Sequence, residues 1–268
     1  MRGLAPPVYD AIQAIQRSIT DRMSHFLSRL RHAARVARQL LVPAASRQYV
    51  FIIAYGRSGS TLMQRLIDSF PDAHISGENS NAIYPLYQSY LRIVETSARG
   101  RKPSTSRSPW YGARRQQPGT YAQALGRAFV DEVIRPPRRA RLVGFKEIRY
   151  FEAGADFNGL LDFMCIAFPG AKLVFNLRTG DAIAKSGWWA NHEPASVLST
   201  LRGQDEMMRS YASKHPDRCL VLDYDEYVAR PESLATLFSF LGVRHDPELV
   251  KRILEVRLNH ARGRRPRQ

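Results

Sequence analysis

A glycine-rich turn between an apolar run and a helical pattern constrains the fold of this chain more than any other feature. Residues 49–55 read YVFIIAY, a short continuous apolar run of the kind found in strands buried on both faces. The turn GRSGST follows at residues 56–61, and apolar residues then recur at helical spacing until Pro71. A buried strand, a glycine turn and a helix form the opening unit of a doubly wound α/β sheet.

Apolar runs alternate with helical patterns further along the chain, and this alternation predicts a central sheet. Apolar runs at residues 171–177 and 218–224 are typical of buried strands, and residues 73–76 form a shorter candidate. Helical patterns lie between and after them, at residues 156–168, 181–190, 195–213 and 231–241. We therefore expect an α/β fold, a three-layer sandwich of the P-loop NTPase type with a mostly parallel central sheet.

The segment that precedes this pattern has a different character. Apolar residues recur every three or four positions from Val8 to Leu40, arginines lie mostly off that stripe, and Pro43 ends it. The segment predicts one long basic amphipathic helix, which could lie on an anionic membrane, pair in a homodimer or fold back on its own domain. We assign residues 1–45 to this helix and residues 46–268 to the main domain.

Charge indicates an anionic partner. The chain carries 40 Lys and Arg residues against 24 Asp and Glu, a net charge of +16, and only six of the basic residues are lysine. Arginine binds phosphate and sulfate through two parallel donors, so nucleic acid, an anionic membrane and a phosphorylated ligand all fit, as does a merely arginine-rich solvated surface.

The compartment follows from what the sequence lacks. No apolar run approaches the length of a membrane span, and no secretory leader is visible at the start of this sequence. Cys165 and Cys219 are too few for a disulfide framework. We expect a cytoplasmic protein, with peripheral membrane attachment through the N-terminal helix as an open alternative.

The turn at residues 56–61 is suited to binding a phosphate. Its glycines let backbone N–H groups converge on an anion, the helix start adds its positive end, and Ser60 and Thr61 offer hydroxyl donors. An NTPase P-loop requires lysine after its last glycine, whereas Ser60 follows Gly59 here. A ligand with a 5′-phosphate that needs no metal at this loop fits better than ATP. A kinase or nucleotide hydrolase, with Asp223 holding Mg²⁺, is the alternative.

Residues 54–85, AYGRSGSTLMQRLIDSFPDAHISGENSNAIYP, resemble a known family. They are similar to the phosphosulfate loop, following helix and second strand of sulfotransferases that use PAPS (3′-phosphoadenosine 5′-phosphosulfate), especially the carbohydrate and tyrosylprotein branches and bacterial relatives. The resemblance extends over residues 49–81 and 141–243. It implies that PAPS is the co-substrate and that its 5′-phosphosulfate is held by Arg57, Ser58, Gly59, Ser60 and Thr61.

A second match, LRTGDAIAKSGWW at residues 177–189, resembles the family's site for the 3′-phosphate. That site is an arginine at a strand end and a serine eight residues later, and Arg178 and Ser186 keep the spacing. Arg178 would lie at the carboxyl edge of the sheet, where open α/β sheets bind ligands, and Ser186 about two turns along the next helix. No adenine-stacking aromatic is identifiable, since Trp188 and Trp189 fit core positions equally well.

Sulfuryl transfer to a hydroxyl group requires a base for the acceptor proton. Glu78 follows the candidate strand at residues 73–76, and the resemblance implies that a glutamate in this Gly-Glu turn is that base. His74 is the rival base, but a histidine within a strand more commonly packs or caps.

Transfer also requires fixed cations for the charge that gathers on the sulfuryl and leaving oxygens. The resemblance implies this role for Arg57, which faces the bridging oxygen, and for Lys146 at the end of a strand. The alternative for Lys146 is a surface ion pair with its neighbour Glu147.

The acceptor pocket would come from residues 82–140, where no signature is visible. Within them, residues 97–119 read as a long basic loop without an acid, and their charge favours an acidic acceptor. We predict transfer to a hydroxyl of a glycan or glycoconjugate, with a tyrosine flanked by acids and a lipid hydroxyl as alternatives. A polyanion- or RNA-binding protein is the non-enzyme alternative, but aromatics for stacking on bases are sparse in the basic segments.

Overall fold

We describe the protein from a computed structural model, which places residues 47–100 and 105–263, with side chains as far as residue 255. The helix expected at residues 1–45 lies outside the described residues.

Five strands form one sheet in the spatial order β2-β3-β1-β4-β5, and all four neighbouring pairs are parallel. The strands are β1 Gln48–Ala54, β2 Ala73–Ser76, β3 Leu142–Glu147, β4 Lys172–Leu177 and β5 Cys219–Asp223. The expected parallel sheet and its strands are therefore confirmed. Since parallel strands share a direction, the five carboxyl ends lie along one edge of the sheet.

Helices connect the strands and cover the sheet. They are α1 Ser60–Asp68, α2 Ile83–Arg99, α3 Pro118–Phe129, α4 Phe157–Ala167, α5 Gly180–Ala184, α6 Pro194–Lys214, α7 Tyr224–Ala229, α8 Ala235–Leu241 and α9 Pro247–Gly263. Short 3₁₀ segments occur at Ala113–Arg115, Tyr150–Asp156, Gly187–Asn191 and Pro231–Leu234, and a π turn occurs at Val130–Ile134. No helix in the described ranges is long and apolar enough to cross a bilayer.

Two apolar cores lie on the two faces of the sheet, because side chains alternate along a strand. Phe51 and Ile53 of β1 enter a core built with α2, α3, α4 and α6. Val50 and Ile52 enter the other core, built with α1, α7, α8 and α9. This arrangement is the expected three-layer α/β sandwich.

The helix expected at residues 181–190 is shorter than predicted. Helix α5 ends at Ala184, Ser186 has extended backbone (φ −122°, ψ 127°), and Gly187 takes a left-handed conformation (φ 62°). The glycine allows the chain to turn here at little cost. Ser186 therefore lies beyond the helix and not two turns along it.

The described parts of the basic loop expected at residues 97–119, which exclude residues 101–104, contain more regular structure than predicted. Helix α2 runs through Arg99, and helix α3 begins at Pro118. The turn Ala113–Arg115 packs closely on Gly100, where a Cβ atom would lie 2.3 Å from the Arg114 nitrogen.

Candidate active site

The turn after β1 has the backbone of an anion-binding loop. Arg57 and Gly59 are left-handed (φ 70° and 83°), and Gly59 precedes the first residue of α1. The first turn of α1 contains no acidic residue, and no side chain caps it. The N–H groups and the positive end of this helix therefore suit a negatively charged group.

Close packing requires glycine at two positions of this loop. A Cβ atom on Gly59 would lie 2.1 Å from the ring of Tyr224, and one on Gly56 would lie 2.1 Å from the ring of Trp188. The loop is thus enclosed by two aromatic side chains that follow β5 and β4.

Two buried hydrogen bonds link the loop to β4 and α7. The Asn176 amide on β4 donates a 2.9 Å hydrogen bond to the Ser58 carbonyl oxygen, and the Tyr227 hydroxyl donates one of 2.9 Å to the Asn176 Oδ1. The Ser58 hydroxyl is itself buried and has no hydrogen-bond partner among the described residues.

Arg178 lies at the end of β4, beside the loop. Its Nη1 donates a 3.0 Å hydrogen bond to the Arg57 carbonyl oxygen, its Nε lies 3.5 Å from a carboxylate oxygen of Asp225, and its guanidinium stacks 4.5 Å from the Tyr224 ring centre. The Tyr55 hydroxyl accepts a hydrogen bond from the Arg178 N–H and donates one to its carbonyl oxygen. Burial raises the pKa of Tyr55 well above its ordinary value, so the phenol stays protonated as a donor.

Ser186 contacts the loop through Arg57. The Arg57 Nε donates a 2.9 Å hydrogen bond to the Ser186 Oγ, and the Trp189 indole donates one of 3.1 Å to the Gly56 carbonyl oxygen. The segment after α5 is therefore fastened to the loop after β1 at two points.

Glu78 lies two residues after the end of β2, and its carboxylate is paired with two cations. Its Oε1 accepts a hydrogen bond from the Lys146 Nζ, and its Oε2 accepts one of 3.0 Å from the Arg149 Nη1. The Lys146 side chain is only 5% exposed and that of Glu78 is 33% exposed. The alternative pairing of Lys146 with Glu147 is wrong, because adjacent residues of a strand point to opposite faces.

Glu147 stabilises the backbone of the segment that contains Glu78. Its carboxylate is buried and accepts four backbone hydrogen bonds. The donors, at 2.8 to 3.1 Å, are the N–H groups of Asn79, Asn81, Ile148 and Arg149. Burial alone would raise the pKa of Glu147, but these hydrogen bonds outweigh it and lower the pKa below the ordinary value.

A cavity of about 360 Å³ opens at the carboxyl edge of the sheet. Its lining consists of Gly56, Arg57, Gly59, Ser60, Thr61, Leu62, Arg65, Glu78, Lys146, Ile148, Arg178 and Trp188. Four of these lining residues are cationic and one is a carboxylate, so the cavity is suited to a polyanionic ligand.

Most residues selected from the sequence meet at this cavity. Ser58 and Ser186 are the exceptions among the candidates for donor binding, because the Ser58 side chain is buried within the loop and Ser186 contacts the loop through Arg57. His74, the rival base, is partly buried on β2 and is not part of the lining.

Sequence reasoning missed several residues of the site. Arg65 could have been found, since it follows Thr61 by four residues and so shares its face of α1. Arg149 and Trp188 carried no comparable signal. Of the two roles that the sequence left open for Trp188 and Trp189, a core position does not hold for Trp188, which is 49% exposed, whereas Trp189 is partly buried against the core.

The Mg²⁺ role considered for Asp223 does not match its contacts. Its Oδ1 accepts hydrogen bonds from the N–H groups of Asp225 and Glu226, at 2.9 and 3.2 Å, and so caps α7. The described residues contain no group of three or more His, Cys, Asp or Glu side chains placed to hold a metal ion.

The chain is similar in sequence to known sulfotransferases. A profile described as "Sulfotransferase family" matches residues 49–247. Protein-tyrosine sulfotransferase 1 of Danio rerio is 26% identical over 242 residues, which are 84% of this chain and 62% of that protein. This chain therefore matches less than two thirds of that relative's length.

Two solved structures are similar at low identity. A sulfotransferase domain from the curacin biosynthetic pathway is 16% identical with a TM-score of 0.43, covering 76% of each chain. A sulfotransferase from Mycobacterium tuberculosis H37Rv is 15% identical with a TM-score of 0.39, covering 80% of this chain and 72% of the other.

Proposed function

The chain belongs to the sulfotransferase family, and we propose that it transfers the sulfuryl group of PAPS to a hydroxyl group of an acceptor. One observation carries this proposal. Glu78 and Lys146, which are hydrogen-bonded to each other, line the same cavity as the anion-binding loop.

The charge and the hydrogen-bond donors of the loop support this donor. Ser60 and Thr61 begin α1 at the cavity. These groups, with the N–H groups of the loop, would hold the 5′-phosphosulfate without a metal ion.

Arg178 and Ser186 would hold the 3′-phosphate. They follow the same strand, β4, and both contact Arg57. A ligand that carries phosphate groups at two positions could therefore engage the loop and these two residues together.

Glu78 would act as the general base. It takes the proton of the acceptor hydroxyl while the acceptor oxygen forms a bond to sulfur and the bond from sulfur to the 5′-phosphate oxygen breaks, which releases adenosine 3′,5′-bisphosphate. The two cations occupy one lone pair on each carboxylate oxygen, and a carboxylate has about four such sites, so acceptor sites for the proton remain.

Arg57 and Lys146 would stabilise the charge that develops during transfer. Lys146 is almost fully buried at the end of β3, so its charge acts in a medium of low dielectric constant. Fixed cations of this kind supply what Mg²⁺ supplies in kinases.

We propose a glycan hydroxyl as the acceptor, supported by the excess of cations in the cavity. A protein tyrosine is the second candidate, since the relative from Danio rerio is named as a protein-tyrosine sulfotransferase. Phosphoryl transfer from ATP is disfavoured, because the loop lacks the P-loop lysine.

A transfer assay tests the proposal. Sulfur-labelled PAPS is incubated with the protein and either a uronic-acid polysaccharide or an acidic tyrosine peptide, beside phosphorus-labelled ATP with Mg²⁺. We expect label in the polysaccharide from PAPS only. Label in the peptide alone would replace the acceptor, and transfer from ATP alone would contradict the proposed donor.

A further inference from the structure

Two side chains that line the cavity have no proposed contact with the donor. They are Trp188, which packs on Gly56 of the loop, and Arg65, and they line the same cavity as Glu78 and Lys146. We infer that these two side chains recognise the acceptor and that the acceptor is an acidic sugar, with a ring face against Trp188 and a carboxylate near Arg65. The inference rests on the proposed function and specifies its substrate.

Trp188 forms a fixed platform beside the loop. Its ring packs directly on Gly56, while 49% of the side chain stays exposed. The hydrogen bond from the neighbouring Trp189 to the Gly56 carbonyl oxygen fixes the backbone here, as does the packing of Gly187 against the Arg57 side chain. An exposed indole held in this way suits stacking, since its negative face attracts the partly positive C–H groups of a ring.

The contact of Trp188 with the loop supports a role in binding the acceptor. Trp188 packs on Gly56 of the loop that would hold the transferring group, whereas Arg178, proposed for the 3′-phosphate, stacks on Tyr224, which packs on Gly59. A ring on Trp188 would thus lie next to the reacting sulfuryl group and within the same cavity as Glu78.

Arg65 adds a charge requirement. It is exposed on α1, one turn after Thr61, and it makes no ion pair within the described part of the chain. Arginine binds a carboxylate through two parallel donors. A hexuronic acid combines a hydroxyl group, a C–H face and a carboxylate, which would contact Glu78, Trp188 and Arg65 respectively.

A matched pair of small probes tests the inference. The protein is saturated with adenosine 3′,5′-bisphosphate and titrated in a calorimeter with methyl glucuronide or methyl glucoside, which share a ring and differ in the carboxylate. We expect the wild-type protein to bind the glucuronide more tightly. Trp188→Leu should weaken binding of both sugars by roughly ten-fold, and Trp188→Phe should retain most of it. Arg65→Gln should weaken only the glucuronide, by roughly five- to ten-fold.

Matched controls are available in the chain. Trp110 is 40% exposed and Arg92 is exposed on α2, and neither lines the cavity. Trp110→Leu and Arg92→Gln should leave binding of both sugars unchanged. These two control variants should not change the affinity for adenosine 3′,5′-bisphosphate by more than about two-fold.

Several results would overturn the inference. Equal binding of the two sugars by the wild-type protein, or no binding of either, would exclude an acidic sugar. Loss of bisphosphate affinity in Trp188→Leu, with sugar binding retained, would make Trp188 a nucleobase platform. If the wild-type protein failed to bind adenosine 3′,5′-bisphosphate, the proposed function itself would fall, and this inference with it.

Discussion

The Nε of Arg57 donates a 2.9 Å hydrogen bond to the Oγ of Ser186, although the two residues are 129 positions apart in the chain. They stand in segments that leave adjacent strands, β1 and β4, at the same edge of the sheet. The residues expected to hold opposite ends of the donor are therefore in direct contact.

Arg178→Ala should weaken binding of adenosine 3′,5′-bisphosphate by roughly ten- to a hundred-fold, because one charge-assisted hydrogen bond is worth about 1.5–3 kcal/mol. Binding of adenosine 5′-phosphosulfate, which lacks the 3′-phosphate, should fall much less. Calorimetric titration with both nucleotides measures the difference.

The control for this variant is Arg230→Ala, which removes an exposed arginine paired with Glu226. It should leave both affinities unchanged. Equal weakening of the two nucleotides by Arg178→Ala would mean that Arg178 acts only by supporting the Arg57 carbonyl oxygen, with which it is hydrogen-bonded.

Gly59→Ala should destabilise the protein and abolish nucleotide binding. The new methyl group meets the Tyr224 ring, and the left-handed backbone adds roughly 1–2 kcal/mol. Gly112→Ala isolates the backbone cost, because Gly112 has φ 85° and no atom within 4 Å of an added Cβ. Urea unfolding should show a clearly larger loss for Gly59→Ala, and equal losses would remove the steric contact from the argument.

Glu147 should make stability depend on pH in the acid range. Hydrogen bonds from the backbone lower its pKa in the folded protein below the ordinary 4.5, so the carboxylate stabilises the fold above that pH. This contribution is lost as the pH falls through the lowered value. We expect Glu147→Gln to lose roughly 2 kcal/mol or more at pH 7, since an amide oxygen cannot accept all four N–H groups.

Other carboxylates also titrate in this range, so the difference between the wild-type and variant proteins is the quantity to measure. It should shrink when urea unfolding is repeated at successively lower pH. A difference that stays constant from pH 7 into the acid range would show that the Glu147 charge has no part in stability.

The sheet could be predicted from the sequence because its strands are buried on both faces and read as continuous apolar runs. The loop could be predicted because Gly56 and Gly59 stand between such a run and a helix. Partnerships across the chain could not be predicted in this way. The local sequence does not indicate that Lys146 pairs with Glu78 and not with Glu147. That pairing depends on the tertiary fold, which brings the segment after β2 next to the end of β3.

The end of α5 illustrates a second limit. A helical pattern continued past Ser186, but Gly187 and the contacts of Arg57 and Trp189 turn the chain back onto the loop. Such tertiary contacts override local helix preference. The sequence contains one partial indication of such contacts. Asn176 is a polar residue in an otherwise apolar strand, and a buried amide requires hydrogen-bond partners from elsewhere in the chain.

Glu78→Gln should lower the rate of sulfuryl transfer by roughly 10²–10⁴-fold, because it keeps the size of the side chain and removes the basic oxygen. Affinity for adenosine 3′,5′-bisphosphate should change little. His74→Ala, within the preceding strand β2, should lower the rate only mildly. Near-normal transfer by Glu78→Gln with collapse in His74→Ala would assign the base to the histidine.

The identity of the donor is tested most directly by calorimetric titration of the wild-type protein with adenosine 3′,5′-bisphosphate and, separately, with ATP and Mg²⁺. A site with Ser60 in place of the P-loop lysine, and with Arg178 and Ser186 beside the loop, should bind the bisphosphate at a 1:1 ratio and show no saturable binding of ATP. Tight Mg²⁺-dependent binding of ATP, with no heat from the bisphosphate, would contradict the assignment of this cavity to PAPS.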